Sequence, residues 1–239
     1  KSFQINRQIS DIIIVSLAEY IEELWGLVGK NQLSKVKRII VGGDTRQESS
    51  MIGLKSCDED TKYVLLHDAI RPFVSQKIIN DLLTAVKKHK AVDTVIPSPD
   101  TIVRLDKRDN IIDIPDRSSL RRGQTPQCFE YNLIKKAHER AIEDNVFNST
   151  DDCSLVLRLG HPVFTIQGEE ENIKITYPID IHIADKLFQM RNFKLKTFPK
   201  NKEIHKLSRM VFIIIGGTSG IGKAITDELR KYNALVYPL

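Results

Sequence analysis

The sequence predicts an α/β protein with a Rossmann-like, mostly parallel sheet and helices on both faces. Four short apolar runs, separated by longer amphipathic stretches, lie at residues 11–16, 36–41, 63–67 and 93–97. This alternation is typical of a sheet in which a helix connects each strand to the next parallel one. Helices are expected at 18–28, 47–56, 75–89, 131–144 and 178–191. Ser75 is placed to cap the third of them.

One segment departs from the alternation and predicts a protruding β-hairpin arm. Two extended runs, 101–105 and 111–114, are joined by the turn-rich tetrapeptide KRDN. An exposed hairpin with apolar side chains can cap its own sheet or pack on a second copy of the chain. We favour the second arrangement, a homodimer through the arm at 99–127.

The chain is expected to contain more than one domain. Residues 1–192 carry the strand and helix alternation of a first domain. Residues 193–209 are rich in Lys and Asn with little periodicity, which is typical of a linker. Residues 210–239 then start a second Rossmann-type domain.

Composition and charge exclude several classes of protein. The chain has 239 residues, 41% of them hydrophobic, and its longest apolar run is far too short to cross a bilayer. Three scattered cysteines and the lack of a signal-peptide pattern favour a soluble, cytoplasmic protein without a disulfide or zinc framework. The net charge of +5 is spread through helices and only 7% of residues are aromatic, so neither nucleic acid nor membrane is an expected partner.

Glycine and polar residues follow the predicted strand at 36–41. Gly42 and Gly43 would let a base or ribose approach the backbone, and polar recognition groups are offered by Asp44, Arg46 and Ser49. A turn in which Asp or Ser caps the next helix explains the same residues. Taken alone, this structural interpretation is favoured.

The motif HDAIRP comes at the end of the next predicted strand. Asp68 has the chemistry to hold Mg²⁺ against triphosphate oxygens, and Arg71 can bind an acceptor phosphate through two hydrogen bonds. A buried His67 beside an Asp68–Arg71 ion pair is the structural alternative. We favour a functional role, because two opposite charges flank one strand end.

Two later segments carry further candidates for phosphate binding. Residues 115–127 place three arginines beside Thr and Gln side chains in an expected loop, although a solvent-facing basic loop is equally consistent with them. Residues 149–152 precede an alternating segment, 171–176, which is expected to be a strand with Lys174 at its centre. That lysine would point either to water or to a bound phosphate.

Taken in order, these motifs resemble one family. The segments GGDTRQESS, HDAIRPF, DTIV, PDRSSLRRGQTPQCF, STDDCSL and NIKIT are similar to those of the cytidylyltransferases acting on 2-C-methyl-D-erythritol 4-phosphate and on D-ribitol 5-phosphate. The resemblance covers about residues 12–188, and the combination of HDAxRP, QTPQ and NIKIT is highly specific. It implies a nucleotidyltransferase that moves CMP from CTP to a small sugar-alcohol phosphate by positioning and charge stabilisation.

The resemblance also implies roles for individual residues. Asp68 would be the Mg²⁺ ligand and would form the catalytic set with Arg71 and Lys174. CTP contacts would come from Gly42, Gly43, Asp44, Arg46 and Ser49. Acceptor contacts would come from Arg71, Thr101, Arg117, Thr125, Thr150 and Lys174. The family is dimeric through the hairpin arm, so Arg117 is expected to serve the site of the other subunit.

The N-terminal part departs from the family pattern. The family begins with a strand and a Gly-rich loop that cradles the triphosphate and supplies an Arg and a Lys, whereas residues 1–16 resemble the segment after that loop. We therefore expect a chain truncated at its N-terminus, which as written would not turn over CTP. An inactive relative that binds nucleotide without turnover is the alternative from another functional class.

The C-terminal segment bears on the choice of acceptor. An apolar strand near 211–215 runs into a G-x-x-x-G-x-G turn, with Gly216, Gly220 and Gly222, and then into a helix and a strand near 234–237. It resembles the opening of short-chain dehydrogenases and implies NADPH binding and ribulose 5-phosphate reduction in a longer parent. This favours D-ribitol 5-phosphate as acceptor; the methylerythritol phosphate enzyme of isoprenoid biosynthesis is the alternative.

Overall fold

The computed structural model describes residues 1–192 and 204–239. Within these ranges the chain forms two compact units, Lys1–Ala184 and Asp185–Leu239. Most of the predicted linker, residues 193–203, lies outside the described residues, and its last part contains a short 3-10 helix at Ile204–Leu207. Among the described residues no helix combines the length and the apolar character that a membrane span requires.

The first unit contains eight strands. They are β1 (Ile12–Ser16), β2 (Val36–Val41), β3 (Tyr63–Leu66), β4 (Ala91–Pro97), β5 (Arg104–Leu105), β6 (Ile111–Asp113), β7 (Arg121–Glu130) and β8 (Phe164–Gln167). Strands β1 and β2 form a parallel pair. Four others form a sheet in the order β3-β7-β4-β8, in which β4 and β8 are parallel. The α/β class predicted from the sequence is confirmed.

Strand β7 is the main feature that sequence reasoning did not anticipate. Residues 121–127 were expected to be a loop, but they begin a ten-residue strand that runs antiparallel to both β3 and β4. The two arginines at its start and Pro126 in its middle are atypical of a central strand. The pairing with β4 shifts register between Val92 and Thr94, and the Thr94 hydroxyl donates to the carbonyl of Pro126 at 2.6 Å.

The helices of the described residues include all those predicted, together with two short helices at Ser2–Ile5 and Asp152–Arg158 that were not predicted. They are α1 (Ser2–Ile5), α2 (Ile21–Lys30), α3 (Arg46–Lys55), α4 (Gln76–His89), α5 (Tyr131–Glu143), α6 (Asp152–Arg158), α7 (Pro178–Asn192) and α8 (Gly220–Lys231). The Ser75 hydroxyl accepts from the Ile78 amide at 3.2 Å, which confirms the predicted cap of α4. Thr45 caps α3 in the same way, so the capping residue is neither the Asp nor the Ser of that segment.

Strand β7 also shows why helices lie on both faces of the sheet. Its adjacent residues Cys128 and Phe129 are both fully buried, and side chains alternate between faces along a strand. Cys128 packs in a cluster with the apolar face of α4, whereas Phe129 packs with residues of α5 and α6. Each fully buried apolar side chain in these clusters contributes about 2 kcal/mol of transfer free energy.

The predicted hairpin arm is present. Strands β5 and β6 pair antiparallel, with Arg104 opposite Asp113. Its apolar side chains are largely exposed, and the largest exposed fractions are those of Ile111, Ile112 and Ile114, at 58%, 60% and 59%. An exposed apolar hairpin of this kind suits contact with another copy of the chain, and the dimer stays a prediction.

The second unit begins a strand, turn and helix arrangement. Strands β9 (Val211–Ile214) and β10 (Leu235–Pro238) pair in parallel, and α8 connects them. Gly216 and Gly220 have φ values of 76° and 51°, in the left-handed region that favours glycine. A Cβ at Gly222 would collide with the carbonyl oxygen of Gly216. The glycine spacing therefore fixes the turn that leads into α8.

Candidate active site

A polar pocket lies where β3 ends and β7 passes beside it. Two of its residues follow β3 in the HDAIRP motif, and others come from α3, from β7 and from the segments before α6 and α7. The lining residues are Arg46, Asp68, Arg71, Gly123, Gln124, Thr125, Thr150, Asp151 and Lys174. The pocket thus joins six of the residues predicted to bind metal, CTP or acceptor.

Asp68 is at the centre of the pocket and faces three cationic side chains. Its Oδ2 lies 3.1 Å from Lys174 Nζ and 3.7 Å from Arg71 Nε, and its Oδ1 lies 3.5 Å from Arg46 Nε. Burial opposes ionisation of Asp68, but the hydrogen bond and charge of Lys174, together with the charges of Arg46 and Arg71, outweigh it and lower its pKa. The carboxylate therefore stays ionised, and the surplus of positive charge suits a phosphate ligand.

Arg46 is held at the pocket by a buried carboxylate. Its Nη1 donates to Asp152 Oδ2 at 2.6 Å, while Asp152 Oδ1 contacts His138 Nε2 at 3.0 Å. Asp152 and His138 are both 1% exposed. Although burial opposes it, the contacts with His138 and Arg46 lower the pKa of Asp152. These buried contacts fix the guanidinium beside Asp68. Sequence reasoning named Asp152 only as part of the segment 149–152 and did not identify His138.

The contacts of Arg71 and His67 fit both the structural and the functional interpretation of the HDAIRP motif. Arg71 Nη1 donates to the Asn172 carbonyl at 2.9 Å, and His67 Nε2 donates to the Arg71 carbonyl at 3.0 Å. Burial lowers the pKa of His67, so the ring is neutral and its Nδ1 accepts from the Thr125 hydroxyl at 3.2 Å. That hydroxyl also accepts from the Asp68 amide at 2.9 Å. The structural contacts position the charged groups at the pocket.

The predicted CTP segment forms the turn between β2 and α3, next to Arg46. A Cβ at Gly42 would lie 2.7 Å from Ser49 Oγ, so a side chain at this position would displace the Ser49 hydroxyl. Ser49 Oγ accepts from the Gly43 amide at 3.1 Å, and Glu48 accepts from the Asp44 amide at 2.9 Å. Gly42, Gly43, Asp44 and Ser49 adjoin the pocket without lining it, and their present contacts hold the turn.

The prediction that residues 171–176 form a strand is wrong. The segment makes isolated contacts instead of a ladder: the Ile175 amide donates to the Ile70 carbonyl at 2.9 Å, and Asn172 donates to the Thr125 carbonyl at 2.9 Å. Asn172 is fully buried, which interrupts the alternation that suggested a strand. The resulting irregular backbone brings Lys174, 41% exposed, to Asp68.

Two predicted acceptor contacts lie elsewhere. Arg117 lines a separate surface pocket near the base of the hairpin arm, where its Nη1 donates to the Pro99 carbonyl at 3.0 Å. Thr101 is exposed in the same arm. Within one chain neither residue lines the pocket that contains Asp68.

Sequence reasoning missed a second carboxyl group behind the pocket wall. Asp93 Oδ1 accepts from Gln127 Nε2 at 2.9 Å, and the same nitrogen donates to Asp151 Oδ2 at 2.7 Å. Burial raises the pKa of Asp93 to about 7, with a further contribution from the charge of Asp151. The available signal was an Asp inside the apolar run AVDTVI, because an ionisable side chain is rarely buried in a strand unless it has a partner or a function.

The chain matches the family model described as 2-C-methyl-D-erythritol 4-phosphate cytidylyltransferase over residues 1–190. It is 37% identical to a bifunctional ribulose 5-phosphate reductase/CDP-ribitol pyrophosphorylase of Haemophilus influenzae, over 99% of this chain and 51% of the relative. It therefore spans about half the length of that relative. It is 39% identical to a ribitol-5-phosphate cytidylyltransferase of Vibrio parahaemolyticus, over 77% of this chain and 78% of the relative.

The fold is similar to that of a solved structure. The crystal structure of 4-diphosphocytidyl-2C-methyl-D-erythritol synthase from Anaerococcus prevotii superposes with a TM-score of 0.73. The sequence identity is 31%, with 79% of this chain and 82% of the other covered. These comparisons and the sequence motifs agree on one family. The names of the relatives, however, indicate two different acceptors.

Proposed function

This chain belongs to the 2-C-methyl-D-erythritol 4-phosphate cytidylyltransferase family. On that premise we propose that the full-length protein containing it transfers CMP from CTP to D-ribitol 5-phosphate, forming CDP-ribitol and pyrophosphate. The observation that carries the proposal is the ionised Asp68 with three cationic side chains around it in one pocket. Such a site suits the meeting of a nucleoside triphosphate with a phosphate ester, because both substrates are strongly anionic.

The proposed reaction is an in-line displacement. A phosphate oxygen of the acceptor attacks the α-phosphorus of CTP and forms the new P–O bond, while the bond from that phosphorus to the bridging oxygen of the β-phosphate breaks and pyrophosphate leaves. No side chain of the protein needs to act as nucleophile. Arg46, Arg71 and Lys174 offset the negative charge that the two substrates bring together, and their fixed positions supply orientation.

The residues at the pocket fit a role for Mg²⁺. This ion is commonly held by one or two carboxylates together with substrate phosphate oxygens. Asp68 provides one ionised carboxylate, 14% exposed, at the pocket. When bound, the ion would neutralise charge on the phosphate groups. Asp68 would hold it, and Lys174 would then be free to contact a phosphate oxygen.

Two observations favour ribitol phosphate over methylerythritol phosphate. The Haemophilus influenzae relative, whose name joins a reductase with CDP-ribitol formation, aligns with 99% of this chain. The second unit also has the glycine turn at the start of α8, a fitting place for the pyrophosphate of NADPH in a longer parent protein. The family model and the Anaerococcus prevotii structure support methylerythritol phosphate as the alternative acceptor.

The proposed enzyme works as a homodimer in the cytoplasm. The exposed apolar side chains of the hairpin arm support the dimer. In that assembly Thr101 and Arg117 would reach the acceptor pocket of the other subunit, which accounts for their distance from Asp68 within one chain.

The test is pyrophosphate release by the full-length protein, with CTP, Mg²⁺ and either D-ribitol 5-phosphate or 2-C-methyl-D-erythritol 4-phosphate. We expect a higher kcat/KM with ribitol phosphate and a loss of at least about 100-fold in Asp68→Asn. Asp81→Asn, an exposed carboxyl on α4, is the matched control and should keep wild-type rates. Preference for methylerythritol phosphate would favour the alternative function. No pyrophosphate release with either acceptor would indicate an inactive relative.

A further inference from the structure

Asp93 and Asp151 are held together by a single buried amide. Gln127 is fully buried, and its Nε2 donates one hydrogen bond to each carboxyl group, at 2.9 and 2.7 Å. The second oxygen of Asp151 is used by the cap of α6, where it accepts from the Cys153 amide at 2.7 Å. Asp93 Oδ1 is thus fixed by Gln127, while Asp93 Oδ2 takes no part in the hydrogen bonds of that amide.

Gly123 leaves open space between Asp93 and the pocket. Gly123 lines the pocket, and among the described residues the one heavy atom within 4 Å of its absent Cβ, apart from its chain neighbours, is Asp93 Oδ2, at 3.7 Å. Asp93 is half-buried and does not itself line the pocket, and the absence of a side chain at residue 123 leaves its Oδ2 uncovered by that residue. Asp151 lines the same pocket directly.

The chemistry of this carboxyl pair differs from that of Asp68. An N–H group already occupies the space between Asp93 and Asp151, so a metal ion has no place there. Cationic side chains surround Asp68, and a carboxyl group repels the phosphates that they attract. A carboxylate that is fixed and partly accessible is suited to accept hydrogen bonds from uncharged donors such as hydroxyl groups.

We propose that Asp93, held by Gln127 and reached past Gly123, accepts a hydrogen bond from a hydroxyl group of the acceptor and selects an extended polyol phosphate over a less hydroxylated one. This inference rests on the proposed function and adds the residue that distinguishes among acceptors. The phosphate of the acceptor lies at the cationic side of the pocket and its polyol chain lies toward Asp93. The cationic side chains and the carboxyl group of Asp93 together set the direction in which the acceptor binds.

Two variants of the full-length protein test the assignment. Asp93→Asn keeps an oxygen for Gln127 but removes the charge. Gly123→Ala adds a methyl group whose nearest contact, at 3.7 Å, is an ordinary van der Waals distance, so the fold should tolerate it while the methyl covers Asp93. Asp81→Asn is the control. Each is assayed by pyrophosphate release with D-ribitol 5-phosphate and with D-erythritol 4-phosphate, which lacks one hydroxyl-bearing carbon.

Asp93→Asn should raise the KM for ribitol phosphate about tenfold, the usual effect of losing one hydrogen bond to a charged group. The KM for CTP should not change, and the preference for ribitol phosphate over erythritol phosphate should fall in both variants. Equal losses with the two acceptors, or a raised KM for CTP, would show that Asp93 acts on the fold instead. A wild-type protein that uses neither alditol phosphate would overturn the proposed function as well, whereas unchanged selectivity in an active Asp93→Asn protein overturns this inference alone.

Discussion

Replacing Asp93 by Asn should stabilise the protein, and by an amount that depends on pH. The pKa of Asp93 is raised from its ordinary 3.8 to about 7 in the folded chain, chiefly by burial. In the unfolded chain the group ionises near its ordinary value. Between these two values the folded state holds a proton that the unfolded state has lost, so the free energy of unfolding falls as pH rises. Asn has no ionisable group and avoids that loss.

The magnitude depends on the size of the pKa difference. Since each pKa unit corresponds to about 1.4 kcal/mol, the full difference between 3.8 and about 7 is worth about 4 kcal/mol. Water that reaches the partly accessible carboxyl reduces this figure, so we expect a gain of about 2 kcal/mol at pH 8. The gain should shrink steadily below pH 7 and vanish near pH 4, where both states of the wild-type protein carry the proton.

Urea unfolding at several pH values measures this difference. The single tryptophan, Trp25, lies in α2 of the first unit, so its fluorescence reports on the unit that contains Asp93. Asp106→Asn provides a control of opposite sign, because hydrogen bonds from the Asn110 and Arg108 amides lower the pKa of Asp106. A stability difference between wild type and Asp93→Asn that is the same at pH 4.5 and pH 8, or a less stable variant at pH 8, would refute the reasoning.

Three further predictions concern the contacts of the site and the arm. Lys174→Met should lower kcat/KM by at least about 100-fold in the pyrophosphate release assay, because a cation that contacts the phosphates is lost, while the exposed Lys77→Met should not. His138→Phe should lower the free energy of unfolding by about 1–3 kcal/mol in urea titrations, because Asp152 loses a buried partner. Ile112→Asp should shift the protein from dimer to monomer in analytical ultracentrifugation, and an unchanged dimer would show that the arm does not form the interface.

Regular elements with strong periodicity could be predicted from the sequence. The predicted strand 36–41 coincides with β2, and α4 begins after Ser75, because a continuous apolar run and a capping hydroxyl are local signals. Strand β7 could not be predicted in the same way. Its first residues are basic, and Pro126 cannot donate a ladder hydrogen bond, so the local preferences oppose a central strand. The burial of Cys128 and Phe129 between two layers of helices stabilises the strand against these local preferences.

The site could be predicted only where its residues share one motif or one family pattern. Asp68 and Arg71 are neighbours in the chain, whereas Lys174 meets Asp68 through an irregular segment whose course depends on the buried Asn172. The Arg46–Asp152 contact joins residues 106 positions apart, and no local pattern signals such a contact. Burial and long-range pairing therefore supply what propensity and spacing cannot.

A role for Asp93 in binding a hydroxyl group of the acceptor would explain why a destabilising carboxyl is retained. Buried ionisable groups with raised pKa values lower stability and concentrate at functional sites. Lys174 and the two arginines face Asp68, while Asp93 faces the gap at Gly123. If Asp93 served the fold alone, Asp93→Asn would gain stability and lose nothing. A variant that is more stable at pH 8 but discriminates less between ribitol and erythritol phosphates would show that the cost in stability supports the choice of acceptor.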